Sequence, residues 1–293
     1  MRVQRENLQS IAVADVQLSY VRVGKGQPVV FVHGIPTDYR AWASQLGPFS
    51  SKYDSIVYSR RLAKPNRNPE DYEKSTIENN SADLIGLIQN LGISPVHLIG
   101  HSYGGFIAAY TATTHPELLR TLTLIEPAIS TMILKNRKSL AQFFSLLLTS
   151  PATAVSAAKF QRSSLDPSLN AFKRGDYDAA LRFNVDGIMN RKNALDSLPD
   201  QIQEMMRDNE KTVGELMAEP PAFGKGEAAK INVPTLLMHG SDSPKVLHAI
   251  VERLTKVIPK SQMVSVPGSA HFPHFEKPQE FNRIVLDFME RNA

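Results

Sequence analysis

The sequence predicts an α/β protein: a mostly parallel sheet of eight strands, helices on both faces, and a helical segment inserted before the seventh strand. Three observations carry this. Apolar strand-like runs alternate with helical patterns from Val29 to Ile125. The rhythm breaks over residues 130–225 and resumes at Pro234. And the β-rich run through Val96, Leu98 and Ile99 stops at Gly100-His101-Ser102-Tyr103-Gly104, then gives way to a helical run from Phe106 to Thr114. A serine therefore sits on a strand-to-helix turn.

Taken in order, Ile11–Val16 and Gln17–Val23 alternate at period two and read as an antiparallel hairpin at a sheet edge. Val29–Val32 is a continuous apolar run, as a central parallel strand covered on both faces requires. Ser55–Tyr58 is the next strand, followed by Ser59, Arg60, Arg61 and a polar Pro/Asn loop to Tyr72. Ser75-Thr76-Ile77-Glu78 reads as a capping box. Ile77, Leu84, Ile85, Ile88 and Leu91 then recur at helical spacing, and Gly92 stops the helix. After the serine turn, Thr121–Ile125 is another buried strand, ending in Glu126-Pro127.

Between 130 and 225 no strand stands out. Apolar residues recur at helical spacing from Leu140 to Leu148 and from Ala179 to Met189, which predicts a helical cap. The expected division is a core of residues 1–129 and 226–293 and a cap of 130–225. Pro234–Met238 and Gln262–Val266 supply the last strands. Helices are expected from about Val246 to Val257 and from Pro278 to Glu290.

Composition narrows the function classes. The chain has 293 residues, 42% apolar and 21% charged, with a net charge of +4 spread along its length. Scattered basic residues do not make a nucleic-acid tract. There is no cysteine, which excludes disulfides, thiolate catalysis and Cys-bound zinc. Residues Met1–Asn7 are polar, with no signal-peptide core expected, and no apolar run approaches the ~20 residues of a membrane span. The reading is a soluble, cytoplasmic protein with a small-molecule substrate, no nucleic-acid partner and no membrane association.

The spacing of the serine turn has a physical reason. A hydroxyl that must stand clear of the backbone needs a strained turn. Side chains two residues before and after it would collide with the crossing strand and helix, so Gly100 and Gly104 flank Ser102. The helix that follows points its positive end at the reacting centre. With His33-Gly34-x-Pro36, the inserted helical stretch and Pro267-Gly268-x-x-His271, this turn makes the chain resemble the α/β-hydrolase family over nearly its whole length.

That resemblance implies site residues. Ser102 is the nucleophile, which needs an adjacent base to be reactive. His271, on the loop after the last strand, holds the place of the family's base. His33 and His101 resemble structural or oxyanion-loop residues, His97 is expected to be packed on its strand, and His274 to be a pocket residue. The acid has two candidates. The family usually places an aspartate third after a glycine at the seventh strand. Here Ser243 is third past Gly240, and Asp242 comes one place early. Glu126 ends the sixth strand, where some dehalogenases and zearalenone-type lactonases carry a catalytic glutamate. Glu126 is preferred, with Asp242 as the alternative. The backbone N–H groups of Ile35 and Tyr103 are the expected oxyanion donors. Pro36, Arg60, Phe143 and Phe144 join His33 and His274 as pocket candidates. Arg60 and Arg61 depart from the family's Asp-x-x-Gly-x-Gly and could read a substrate carboxylate, or could serve the fold's own carboxylates.

The implied activity is cofactor-free and metal-free hydrolysis of a carboxylic ester or lactone with an apolar part. Three further possibilities are C–C hydrolysis of a ring-cleavage product, a haloperoxidase- or dioxygenase-like reaction without cofactor, and a ligand receptor that keeps the triad. A serine at 102 argues against dehalogenases and epoxide hydrolases, which use aspartate there.

Overall fold

The structure is a computed structural model and describes residues 7–68, 70–136 and 139–292. β1 (Gln9–Val13) and β2 (Val16–Val23) form the edge hairpin. The turn falls at Ala14 and Asp15, so the first strand ends three residues earlier than expected, with Ala14 in the left-handed region (φ 48°). Val13 pairs with Val16, and Val13 packs into the space above Gly86, where even a Cβ would come within 2.4 Å of it. That contact fixes where the strand stops.

The remaining strands are β3 (Pro28–Val32), β4 (Asp54–Tyr58), β5 (Val96–His101), β6 (Leu119–Ile125), β7 (Thr235–Gly240) and β8 (Ser261–Val266). The sheet order is β1-β2-β4-β3-β5-β6-β7-β8, antiparallel as far as β4 and parallel beyond. β3 has its sequence successor on one side and β5 on the other, so the strand order reverses there. Crevices beside such a reversal are where open α/β sheets bind ligands.

Helices α1 (Ala43–Ser50), α2 (Ile77–Leu91) and α3 (Tyr103–Thr114) connect these strands. α2 is capped by Thr76, whose hydroxyl accepts from the N–H of Asn79, and ends at Gly92 with φ 63°. Ser75, expected to open this helix, instead hydrogen-bonds the carboxylate of Glu215. Between β6 and β7 every regular element among the described residues is helical. They include α4 (Leu140–Thr149), α5 (Pro151–Phe160), a π turn (Gln161–Leu165), α6 (Asp166–Lys173), α7 (Tyr177–Ile188), α8 (Asp200–Asp208) and a 3-10 stretch (Glu210–Met217). α4 and α7 follow the expected apolar spacings. α5, α6 and α8 lie outside the two stretches whose apolar spacing was singled out. α9 (Lys225–Ala228), α10 (Lys245–Thr255), α11 (Pro273–Glu276) and α12 (Pro278–Arg291) complete the chain.

Alternation within the parallel strands divides the core. Val30, Val32, Leu98 and Leu122 pack toward α2, α3 and α10. Val29, Phe31, Ile99 and Ile125 pack toward Trp42 and Phe49 on one side and Phe281 and Phe288 of α12. A third cluster joins Leu181, Val185 and Met206 of the inserted helices to Ala270 and Phe272. The insertion is thus packed onto the loop that follows β8. Among the described residues no helix is long and apolar enough to cross a membrane.

Candidate active site

The site forms at the carboxyl ends of β3, β5, β6, β7 and β8. β5 ends in a sharp turn at Ser102, whose backbone sits at φ 52°, ψ −117°. A non-glycine residue held there costs on the order of 1–3 kcal/mol. The surroundings impose it: the Ser102 N–H donates to the Ile125 carbonyl (2.9 Å), and the Ser102 carbonyl accepts from Phe106 (3.1 Å) and Ala128 (2.9 Å). Glycine is required on both sides. A Cβ on Gly104 would lie 2.4 Å from the carbonyl oxygens of Val32 and His33, and one on Gly100 would lie 2.5 Å from that of Gly104.

β6 delivers Glu126 beside Ser102, also with positive φ (41°). Its N–H donates to the Met238 carbonyl (2.9 Å). Its Oε1 accepts from the Gly240 N–H (2.9 Å) and its Oε2 from His271 Nδ1–H (2.6 Å). Both partners are buried. Burial pushes the Glu126 carboxyl upward, and the Ser243 hydroxyl and Gly240 N–H beside it hold it back. Burial also pulls the His271 imidazole well below its ordinary value, to about 3, so the ring is neutral near pH 7. The loop is held by His101, whose Nε2–H donates to the His271 carbonyl (2.8 Å). His271 Nε2 has no partner among the described residues.

Asp242, the alternative acid, is solvent-exposed and accepts a hydrogen bond from Ser241 Oγ (2.7 Å). Ser243, one residue later, is the one that turns inward and is buried beside Glu126. The residue after a strand end that faces in excludes its neighbour from the same space, so Asp242 is directed to solvent.

Ser102 and His271 line one cavity of about 130 Å³. Ile35 and Tyr103 line it too. Tyr103 opens α3, so its N–H has no acceptor one turn back, and the Ile35 N–H makes no hydrogen bond among the described residues. Both residues therefore bring an N–H without an acceptor to the cavity that Ser102 lines.

The other pocket candidates lie elsewhere. His33 is buried, with Nδ1–H donating to the Gly34 carbonyl (2.9 Å) and Nε2 accepting from the Arg60 N–H (3.0 Å). It shapes the loop and does not line the cavity. Pro36 is buried outside the lining as well. Arg60 pairs through both terminal nitrogens with Glu215 of the insertion (2.9 and 2.8 Å), and its guanidinium lies 4.9 Å over the Tyr103 ring. Arg61 pairs through Nε and Nη2 with Asp83 (2.8 Å to each oxygen). Both arginines serve the fold's own carboxylates. His274 is packed between Trp42 and His101, ring centroids 4.6 Å from each. Phe144 is 59% exposed, and Phe143 lines a neighbouring groove that shares four lining residues with this cavity. His97 is packed as expected, Nδ1 2.8 Å from Thr121 Oγ1.

The actual walls come largely from residues that sequence reasoning missed: Phe160, Leu165, Asn184 and Ile188 from the insertion, and Val246 and Leu247 from α10. Ala179–Met189 was recognisable as helical, but which of its side chains faces Ser102 depends on contacts remote in sequence.

The chain belongs to the α/β-hydrolase fold family, whose family model matches residues 27–278. Among solved structures, it resembles an esterase from Exiguobacterium antarcticum, with a TM-score of 0.76 at 18% identity, covering 96% of this chain and 99% of that one. It also resembles the enol-lactonase from Burkholderia xenovorans, with a TM-score of 0.65 at 19% identity, covering 96% and 100%. In sequence it is 24% identical over 288 residues to a 2-hydroxy-6-oxononadienedioate/2-hydroxy-6-oxononatrienedioate hydrolase from Pseudomonas putida, covering 94% of this chain and 92% of that protein.

Proposed function

We propose that the protein is a serine hydrolase that cleaves a carboxylic ester or lactone through an acyl-enzyme. The observation that supports this most is one cavity shared by Ser102 and His271, with the imidazole anchored through Nδ1 on Glu126 and Nε2 left without a partner. Neutral His271 takes the proton of Ser102 as the hydroxyl attacks the carbonyl carbon. Glu126 holds the ring's tautomer and stabilises the imidazolium that forms. The N–H groups of Ile35 and Tyr103 receive the developing oxyanion, each worth ~3 kcal/mol in the transition state. The intermediate collapses, His271 returns the proton to the departing alcohol, and Ser102 carries the acyl group. Water, deprotonated by the same imidazole, then releases the acid. For a lactone the alcohol and acid leave as one hydroxy acid.

Charge weighs against the dioate substrate named for the Pseudomonas putida relative. No lysine or arginine lines the described cavity, and Arg60 and Arg61 are each committed to a carboxylate of the fold. The residues flanking Ser102 are mostly apolar, which suits an uncharged ester. The test is hydrolysis of p-nitrophenyl acetate and butyrate by the wild type and by Ser102→Ala. Turnover by the first and none above background by the second is the expected result.

A further inference from the structure

The 130 Å³ cavity at Ser102 is small. Sites for small molecules usually begin at about 300 Å³. A second concavity of about 300 Å³ lies outside it, between α4, α5 and the π turn. The two share four lining residues: Ser130, Phe160, Leu165 and Val246. They are therefore two compartments on either side of one wall, and Phe160 and Leu165 are its bulky members. The outer compartment is lined by Ile133, Leu134, Phe143, Ala157 and Ala158, with only Arg162 ionisable among its lining residues. The wall is built on the irregular part of the insertion: α5 passes into the π turn, and a Cβ on Gly187 of α7 would sit 1.9 Å from Ser164 Oγ. Such π turns recur at functional sites, because they re-aim the side chains they carry.

We infer that the outer groove is a second substrate subsite, which takes an unbranched alkyl chain of the ester while its carbonyl sits at Ser102. This rests on the hydrolase reading above and names the substrate class: esters with a medium-length apolar chain and no charge near the carbonyl. Phe160 and Leu165 are specificity-determining residues, since they are the bulky side chains between the inner cavity and the groove. The occupant follows from continuity: the groove adjoins the reacting serine through shared walls, and its lining offers an alkyl chain apolar contact without a charge to match. The chain can be borne on the acyl or on the alcohol side, and the experiment separates these.

The test is kcat/KM for p-nitrophenyl acetate, butyrate, hexanoate and octanoate, and in parallel for ethyl, butyl and octyl acetate. A chain that becomes buried gains about fourfold per methylene. The first series rises if the groove takes the acyl chain, the second if it takes the alcohol. Ala158→Trp, which fills the groove, is expected to lower the long-to-short ratio in the rising series at least tenfold. The ratio is read on one preparation, so loss of folded enzyme cancels. A flat wild-type profile in both series, or a ratio unmoved by Ala158→Trp, overturns the subsite while short-ester turnover leaves the hydrolase reading standing. Absence of any Ser102-dependent ester turnover overturns both.

Discussion

Glu126 Oε2 lies 2.6 Å from His271 Nδ1, although 145 residues separate the two in the chain. The carboxylate reaches the imidazole from β6, the strand next to the one bearing Ser102. Position 243, third past Gly240, carries a buried serine beside the same carboxylate. The carboxylate that holds this imidazole thus stands at the end of β6, one strand along the sheet from position 243 after β7.

Replacing this carboxylate with an amide removes the group that holds the imidazole's tautomer. Glu126→Gln is expected to lower kcat by about 10⁴-fold. Asp242→Asn, at an exposed position, is expected to stay within about twofold, as surface substitutions do. Steady-state ester hydrolysis of both variants checks this, and a large loss in Asp242→Asn would exchange the roles.

Because Ser243 is buried beside Glu126, a carboxylate placed there has a route to the same imidazole. Glu126→Ala with Ser243→Asp is expected to recover at least tenfold of the kcat lost in Glu126→Ala alone. No recovery, with the double variant folded by circular dichroism, would mean that position 243 cannot direct a carboxylate to Nδ1.

Burial lowers the pKa of His33, His101, His271 and His274, and of His97 to about 4. A histidine depressed in the folded state adds stability only above its unfolded value near 6.5, and that stability drains as pH falls. Each such group costs about 1.4 kcal/mol per pH unit below that point until its own folded value is reached. Glu126 opposes the trend, being one raised carboxyl. Urea denaturation at pH 7.5, 6.0 and 5.0 should therefore show stability falling steeply, and His274→Phe should shrink the slope by about one proton. A flat profile would contradict the buried neutral state.

Arg60 and Glu215 are both almost fully buried, and their pair ties the end of the insertion to the residue after Ser102 through the Tyr103 ring. Removing one partner of a buried pair typically costs about 3–5 kcal/mol, and replacing both with apolar side chains costs far less. Arg60→Met should lower stability by that amount, and Arg60→Met with Glu215→Met should restore most of it in denaturant unfolding. Equal losses in the single and double variants would remove the pair from the account.

Much of this was legible in the chain because the signals are local. Four consecutive apolar residues mark β3, a glycine on either side of Ser102 marks the turn, and Glu126 stands at the end of a recognisable strand. What stayed hidden depends on long-range partners. Arg60 finds Glu215 at 155 residues' distance, and nothing near Arg60 announces it. Phe143 and Phe144 are adjacent, yet one lines a groove and the other faces solvent. The cavity walls come from α7, α10 and the π turn, whose inward faces are set by how the insertion packs on Ala270 and Phe272. The cap of α2 moved one residue because Ser75 is drawn to Glu215.

In the proposed mechanism Ser102 carries the acyl group during turnover. Intact and peptide mass spectrometry after rapid acid quench of enzyme with p-nitrophenyl butyrate tests it most directly. A butyryl mass is expected on the peptide containing Ser102 and not in Ser102→Ala, which also fails to turn over. Turnover by Ser102→Ala, or an acyl group carried on a different residue of the active wild type, would contradict it.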